Sequence, residues 1–374
     1  MLKASGRVSS AWGRGGKGVG LRRRFYAVPG RQARLARPVI SVGNLSMGGR
    51  GKTPVVAHIA RLLLEAGERP AILTRGYGRS RPEDGVVVVS DGVHLLADVD
   101  RSGDEPLMLA RQVPGARVLV CDQRALAGAL AERALHATVH ILDDGFQHLQ
   151  LARDIDLVIV TPQDLDGRAL PFGRLREPVS ALNHADAVIW ESIGEEHWES
   201  IGEEHRESIG EVHRESIGEV HRGGASEEHR GRAAGRASVG ASERPEFRLR
   251  RQLGQPYTLH PGGPALVPPG PVVAVAGIAG PERFWLALEQ AGWTIAERLG
   301  FSDHHQFTSA DVARIGEIAR RTGACVLTTE KDAVRLLSLR PLPFDVSVIP
   351  LTISIEPHSV FQGWLLDRLR EARA

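Results

Sequence analysis

The sequence has only two cysteines and no long hydrophobic run. Cys121 and Cys325 fall in apolar, strand-like runs far apart in the chain, which predicts two buried, reduced thiols rather than a disulfide or a metal pair. No stretch approaches the roughly 20 consecutive apolar residues of a membrane span, and the N-terminus lacks the apolar core of a secretory signal. These absences argue against a membrane-spanning or secreted protein and favour the cytoplasm.

Acidic residues are absent from residues 1–37, which carry ten lysines and arginines. This basic N-terminal arm is rich in Gly, Ser and Arg and shows little periodicity, so two interpretations stay open. It is either a solvated, disordered tail or a segment attracted to anionic lipid headgroups, at about 1 kcal/mol per basic residue near such a surface. The whole chain is nearly balanced in charge, at +2, and its 374 residues suggest two domains.

A β-branched run, a glycine-rich turn and an apolar-periodic segment follow one another in residues 39–63, which predicts a strand, a loop and a helix. Glycines let backbone N–H groups converge on an anion, and Lys52 and Thr53 supply a charge for phosphates and a hydroxyl for Mg²⁺. The Walker A pattern has glycine where this chain has Ser46, and an ordinary turn before a helix is the alternative. The predicted nucleotide-binding residues are Ser46, Met47, Gly48, Gly49, Arg50, Gly51, Lys52 and Thr53.

Strands and helices alternate along most of the chain, which predicts an α/β fold. A P-loop NTPase-like domain at residues 38–185 is expected to contain a mostly parallel sheet flanked by helices, with ligands at the carboxyl ends of the strands. A second, smaller α/β domain is predicted for residues 186–370, with one last strand at 346–355.

Four copies of an eight-residue unit, E-S-I-G-E-[EV]-H-[WR], interrupt this second domain at residues 191–222. Eight residues advance a helix by about 80° beyond two turns, so the repeated Ile and His do not share a face. Each unit also contains a glycine. We therefore predict a disordered surface insertion at residues 191–244. A metal site formed by the periodic histidines is the alternative.

Carboxylates stand at the ends of two predicted elements, where they suit phosphoryl transfer. Asp143 and Asp144 end an apolar strand, as a Mg²⁺-holding Walker-B aspartate does, although Asp-Gly also forms simple turns. Asp104 opens a predicted helix, where it can cap the helix and also act as a base toward an alcohol. One of the histidines at 304–305 is suited to orient or relay a proton for such a carboxylate. Residues 329–332, T-E-K-D, differ from the N/T-K-x-D guanine loop of GTPases.

Taken in order, these motifs resemble the tetraacyldisaccharide 4′-kinase family, the lipid A 4′-kinases of Gram-negative bacteria. The resemblance covers roughly residues 38–190 and 246–370. The family also has serine or threonine at the position of Ser46. The matching segments are residues 42–54, 75–79, 103–106, 143–148, 175–178, 274–278, 281–284, 303–305 and 329–332.

The resemblance implies an activity and a set of site residues. The family transfers the γ-phosphate of ATP, with Mg²⁺, to the 4′-hydroxyl of a lipid disaccharide 1-phosphate at the cytoplasmic face of the inner membrane. By this resemblance Asp104 is the general base, His304 is its partner, and Lys52 bridges the transferring phosphate. The implied Mg²⁺-holding residues are Thr53, Glu105 and Asp143. The further residues implied for the same cleft are Asp144 for catalysis and Gln147 and His148 for substrate. The resemblance also implies that Arg75, Tyr77, Arg124 and Arg176 bind the acidic headgroup of the substrate or the nucleotide.

Two features depart from the family pattern. Family members usually begin with an apolar, membrane-associating helix, whereas this arm is Gly-rich and basic, so we expect weaker, salt-sensitive, peripheral attachment. The repeat at 191–244 is also absent from the family pattern and leaves its motifs intact, so we predict that it is dispensable. The expected partners are the lipid A disaccharide precursor and the anionic inner-membrane surface, with no nucleic acid, and the protein is expected to be a monomer.

Two other functions stay open at this point. A P-loop GTPase or metallochaperone would use the repeat as a metal reservoir, but the guanine loop is missing. A nucleotide-gated membrane adaptor would use the basic arm, but it leaves Asp104 and the Asp143–Asp144 pair without a task.

Overall fold

The computed structural model describes residues 22–47, 51–191, 244–259 and 270–374. Three predicted features therefore lie wholly or partly outside the described residues. They are the first part of the basic arm, the phosphate-loop residues Gly48, Gly49 and Arg50, and the repeat insertion from residue 192 to 243.

A nine-stranded sheet forms the centre of the larger structural unit, in the order β14-β8-β7-β6-β1-β5-β2-β4-β3. Of the pairs in the described residues, only the two at the edges, β14–β8 and β4–β3, run antiparallel. This confirms the predicted mostly parallel sheet, whose central strands, from β7 to β4 in this order, are nearly continuous apolar runs because both faces are covered. The strands are β1 (Val39–Asn44), β2 (Pro70–Thr74), β3 (Val87–Asp91), β4 (Arg117–Val120), β5 (Val139–Asp143), β6 (Ile155–Val160), β7 (Ala187–Glu191), β8 (Glu246–Leu253) and β14 (Leu351–Glu356).

A five-stranded sheet, in the order β11-β10-β12-β13-β9, forms the smaller unit. Its strands run parallel except for the short β9, which pairs antiparallel with β13. The strands are β9 (Tyr257–Thr258), β10 (Pro271–Ala276), β11 (Thr294–Gly300), β12 (Cys325–Thr329) and β13 (Val346–Ile349).

The two sheets divide the chain differently from the predicted boundary at residue 185. Strands β7, β8 and β14 all belong to the larger sheet, so the smaller unit spans only residues 257–349. The predicted single strand at 346–355 is in fact two strands, β13 and β14, which lie in different sheets. Pro350 separates them, because proline has no N–H to continue a ladder.

Helices pack on both faces of the larger sheet. In the helix Lys52–Glu65 the apolar side chains recur at helical spacing and are buried against Ile40 and Val42 of β1. Val39, which points to the opposite face, belongs to a second core cluster beneath the helix Arg124–Leu135. The remaining helices are Val99–Ser102, Asp104–Gln112, Pro162–Leu165, Glu282–Gln290, Ser309–Thr322, Glu330–Leu336 and His358–Glu371.

The helix His358–Glu371 returns the C-terminus to the larger unit. Phe361 is fully buried, and its ring centroid lies 4.9 Å from that of Phe247 in β8. Across the described ranges, no helix has both the length and the apolar composition needed to cross a membrane.

Residues 22–37 of the basic arm pack against the larger unit. Arg23 donates from Nε to Glu177 Oε2 at 2.6 Å, and its guanidinium lies 4.5 Å from the ring centroid of Phe146. Gln32 donates its amide to the carbonyl of Leu149 at 2.8 Å. A free, solvated tail is therefore the wrong description of this part of the arm.

The two cysteines differ in their exposure. Cys121 is buried, as predicted, whereas Cys325 is exposed. The prediction for Cys325 was wrong because this residue begins β12, and the strand becomes buried only from its second residue onward.

The repeat connects two neighbouring parallel strands, because β7 pairs with β8 from Val188 and Glu246 onward. Such a connection must run back along a strand of roughly 17 Å. We expect that replacing residues 192–243 with a Gly/Ser linker of about 12 residues leaves the melting temperature unchanged within about 2 °C, as measured by circular dichroism. A three-residue linker is the matched control, because its reach of about 10 Å is too short for the crossover. A large loss of stability with the long linker would mean that the repeat packs on the fold.

Candidate functional site

A cavity of about 600 Å³ lies between the larger sheet and the smaller unit. Strands β2 and β5 end at its floor, and the loop before the helix Ser309–Thr322 closes it from the other side. The predicted site residues that line it are Gly51, Lys52, Thr53, Arg75, Tyr77, Glu105, Arg124, Asp143, Asp144, Arg176 and His304.

The start of the helix Lys52–Glu65 forms one wall. Gly51 adopts a left-handed φ of 61°, and a Cβ at this position would collide with the guanidinium of Arg251. Lys52 donates from Nζ to Asn44 Oδ1 at 3.0 Å and lies 3.3 Å from Asp144 Oδ1. The helix N-terminus and the lysine therefore place positive potential at the same point, which suits an anion.

Two carboxylates follow β5 in different electrostatic environments. Burial raises the pKa of Asp143 to about 7, and the negative charges of Glu105 and Asp144 contribute to this increase. Burial acts on Asp144 in the same direction, but the charges of Lys52 and Arg176 outweigh it and hold its pKa below the usual value. Arg176 lies 2.8 Å from Asp144. The nearby cations therefore outweigh burial at Asp144, whereas at Asp143 the opposing charges of Lys52 and Arg124 do not.

The residues around Asp143 offer oxygen ligands to a cation. Thr53 and Glu105 line the same cavity, and Thr74 donates from Oγ1 to Asp143 Oδ2 at 3.3 Å. Across the described ranges, no three or more His, Cys, Asp or Glu side chains are grouped so as to hold a metal ion. Mg²⁺ at nucleotide sites usually takes one or two carboxylates together with phosphates and waters. The donor set fits that arrangement, because the mutual repulsion of Asp143, Glu105 and Asp144 favours a cation among them.

Asp104 lies directly behind the cavity wall and is only 4% exposed. The preceding Gly103 has a φ of 85°, and a Cβ there would lie 2.5 Å from the carbonyl oxygen of Tyr77, so glycine is required. The Oδ2 atom of Asp104 contacts His304 Nδ1 at 3.1 Å and the guanidinium of Arg335. His304, which lines the cavity, therefore stands between Asp104 and the open space.

The contacts of Asp104 keep it ionised. Burial would raise its pKa, but the hydrogen bond with His304 and the charges of Arg335 and Lys331 outweigh burial and hold the pKa well below the usual range. The same hydrogen bond raises the pKa of His304. The pair is therefore a carboxylate and an imidazole whose Nδ1–H points at the carboxylate.

Two basic residues of the smaller unit complete this cluster, and the sequence analysis did not identify them. Arg335 is buried and donates from Nη1 to Asp332 Oδ1 at 3.1 Å, while its other end reaches Asp104. Lys331 lies 3.2 Å from His304 Nε2 and 3.5 Å from Glu105 Oε1. The T-E-K-D motif was the one available signal, and it pointed to Lys331 but not to Arg335.

Arg75, Tyr77 and Arg124 form a basic side of the cavity. Arg75 donates from Nη1 to Tyr77 Oη at 3.0 Å. Arg124 is buried and donates to the carbonyl of Cys121 at 3.1 Å, while its Nε finds no acceptor among the described residues. Burial, with the nearby charge of Arg75, lowers the pKa of Arg124 to about 10. This side of the cavity is suited to an anionic group.

Besides Asp104, four of the predicted site residues that the structure describes do not line the cavity: Ser46, Met47, Gln147 and His148. Ser46 is fully buried, and Met47 is exposed. Gln147 donates to the carbonyl of Asn44 at 3.0 Å and accepts from Arg176 at 3.3 Å, so it supports the wall. Burial and the charges of Arg124 and Arg75 lower the pKa of His148 to about 3.

The cavity contains the parts of an α/β phosphotransferase. These are an anion-binding helix start, paired carboxylates at a neighbouring strand end and an acid–histidine pair across the cavity. A sequence profile of the family described as tetraacyldisaccharide-1-P 4′-kinase matches residues 16–370. The chain belongs to this family.

Individual relatives agree with the family assignment. The chain is 36% identical over 373 residues to a tetraacyldisaccharide 4′-kinase of Syntrophus aciditrophicus, covering 95% of this chain and 90% of that protein. It is 38% identical over 311 residues to that of Geobacter metallireducens, covering 82% and 80%. Among solved structures, LpxK from Aquifex aeolicus in complex with ATP matches with a TM-score of 0.69 and 27% identity, covering 95% of this chain and 96% of that one. The predicted family and enzyme class, a kinase of lipid A biosynthesis, are confirmed, and neither the GTPase nor the adaptor is favoured.

Proposed function

We propose that this protein binds ATP with Mg²⁺ in the cavity between its two units and transfers the γ-phosphate to the 4′-hydroxyl of tetraacyldisaccharide 1-phosphate. The observation that carries the proposal is the meeting of two sets of residues at one cavity. The larger unit supplies Lys52 and the Asp143–Asp144 pair, and the smaller unit supplies His304 and Lys331.

The nucleotide is assigned to the wall that begins at Gly51. Residues 46–53 would surround its phosphates, and Lys52 would exchange its contact with Asp144 for the transferring phosphate. Thr53, Glu105 and Asp143 would hold Mg²⁺, which would neutralise charge on the phosphates. The pKa of Asp143, raised to about 7, supports this role because a divalent cation at this point would relieve the repulsion among the carboxylates.

The acceptor hydroxyl is assigned to the side of the cavity that holds His304. The imidazole meets the open space, and Asp104 fixes its orientation while providing a buried negative charge. In a loose phosphoryl-transfer transition state the hydroxyl proton leaves late, so a positioned acceptor of low basicity is sufficient. Asp104 and His304 would therefore receive and relay this proton as one unit, with Asp144 held nearby by Lys52 and Arg176.

The basic side of the cavity, together with Arg176, is assigned to the anionic headgroup of the acceptor. It is formed by Arg75, Tyr77 and Arg124, and Gln147 and His148 would support it from behind. Because the acceptor is a lipid, the protein would attach peripherally to the cytoplasmic face of the inner membrane. It would work there as a monomer. The six arginines and the absence of acids in residues 22–37 support attraction to an anionic bilayer.

The test is transfer of labelled phosphate from ATP to a tetraacyl disaccharide 1-phosphate in mixed micelles. We expect a 4′-phosphorylated product with ATP, little with GTP, and loss of at least about 100-fold in rate when EDTA removes Mg²⁺, since the metal stabilises phosphate charge in the transition state. Adding Mg²⁺ back is the control. Nucleotide hydrolysis without a lipid product would contradict the proposal.

A further inference from the structure

A short loop beside the cavity presents Phe172 to solvent. Its side chain is 85% exposed, among the highest values for large hydrophobic residues in the described ranges. The loop is nevertheless tightly hydrogen-bonded, because Leu175 donates to the carbonyl of Arg168 at 3.1 Å and Leu170 to that of Leu175 at 2.9 Å. A fixed backbone thus holds the phenylalanine outward, and we name residues 168–174 the presenting loop.

Two exposed arginines, Arg168 and Arg174, flank Phe172 in the sequence. No acidic residue lies between them, and the exposed Asp166 precedes them. The ion pair between Arg23 and Glu177 holds the basic arm next to the residues that follow this loop. The arm adds further exposed arginines and two exposed apolar side chains, Phe25 and Val28. Aromatic and basic side chains interleaved in this way match an anionic lipid surface, where rings enter the headgroup region and arginines meet phosphates.

The presenting loop is also bonded to the beginning of the phosphate loop. Met47 donates its backbone N–H to the carbonyl of Arg174 at 2.8 Å, and Ser46 forms an antiparallel bridge with Leu175. Arg176, which follows the loop, lines the cavity and binds Asp144. A contact made at Phe172 therefore lies a few residues from both the nucleotide wall and the acceptor side.

We propose that the presenting loop contacts the membrane, with Phe172 entering the headgroup region of an anionic bilayer and Arg168 and Arg174 binding its phosphates. The inference rests on the proposed function, because a lipid acceptor keeps its acyl chains in the bilayer while its hydroxyl enters the cavity. The mouth of the cavity must then approach the membrane. The loop is a second attachment point beside the basic arm, and it fixes the orientation of the cavity relative to the bilayer.

The first test places a probe on the loop itself. An environment-sensitive fluorophore is attached to Phe172→Cys in a Cys325→Ser background, since Cys121 is buried. The full chain is mixed with vesicles of phosphatidylglycerol and phosphatidylcholine that carry a spin-labelled lipid. We expect a blue shift and quenching at position 172. Val93→Cys is the matched control, because Val93 is 83% exposed but follows the edge strand β3, whereas Phe172 lies in the connection between β6 and β7, farther along the strand order. Equal behaviour of the two probes would overturn the inference.

The second test measures binding to the same vesicles by co-sedimentation. We expect Phe172→Asp to weaken binding about tenfold, since it removes the ring that would be buried in the bilayer and adds a charge, and Val93→Asp to leave binding unchanged. Unchanged binding by Phe172→Asp would contradict the inference. The micelle assay separates the two proposals. If the wild type phosphorylates the lipid but shows no quenching at position 172, only the proposed membrane contact is contradicted. If it phosphorylates no lipid, the proposed function is contradicted.

Discussion

Replacing Asp104 with asparagine is expected to lower kcat for lipid phosphorylation by about 10²–10⁴-fold, the range that a positioned acid–base group contributes. The variant keeps the size of the side chain but removes the negative charge that orients His304 through its Nδ1–H. The initial rate is measured in mixed micelles at saturating ATP. Circular dichroism of the same sample establishes that the variant is folded.

His304→Gln tests whether the two residues act as one unit. If they do, the double variant loses no more activity than the more damaged single variant, because each change alone already disables the pair. His305→Gln is the matched control, since His305 is the neighbouring histidine, contacts Asp311 Oδ2 through Nε2 at 3.1 Å and does not line the cavity. It is expected to stay within a few-fold of wild type, because a partly exposed pair of this kind contributes little. Full activity of Asp104→Asn would remove Asp104 from the mechanism.

Features set by short-range signals were predictable from the sequence. The strand before the phosphate loop, the helix that begins at Lys52 and the two carboxylates at the end of β5 all lie where periodicity and turn residues placed them. Such signals depend on residues a few positions apart, so a single sequence contains them. Asp104 at its helix start is a further example, because the preceding glycine and following proline mark the boundary.

Features set by long-range packing were not predictable in the same way. Strands β7, β8 and β14 look like members of the second domain because they follow the first one in sequence, but hydrogen-bonding partners decide their sheet. In the sequence, Arg335 is an ordinary arginine of a predicted helix, about one turn after Asp332. Only the docking of the smaller unit brings it to Asp104, 231 residues away. No local pattern distinguishes this arginine from the exposed Arg314.

Replacing Arg335 with methionine is expected to destabilise the protein by about 3–5 kcal/mol, the cost of leaving buried charges without their partner. Its guanidinium bridges Asp104 and Asp332, which are 4% and 0% exposed. Without it, each carboxylate must remain charged in a dry site or take up a proton. The free energy of unfolding is measured by urea titration followed by circular dichroism. Arg314→Met, on the exposed face of the helix Ser309–Thr322, is the matched control and should change it by less than about 0.5 kcal/mol.

The effect of Arg335→Met should depend on the charge at Asp104. In an Asp104→Asn background one of the two stranded carboxylates is already neutral, so the same replacement should destabilise the protein less, and the double-mutant cycle should give a coupling of about 1 kcal/mol or more. Arg335→Lys should recover only part of the stability, because a single ammonium cannot reach both carboxylates as the planar guanidinium does. Strict additivity would mean that Arg335 does not stabilise the protein through the charge of Asp104. A measured coupling would make this arginine the link by which the smaller unit holds the carboxylate of the larger unit in place for His304.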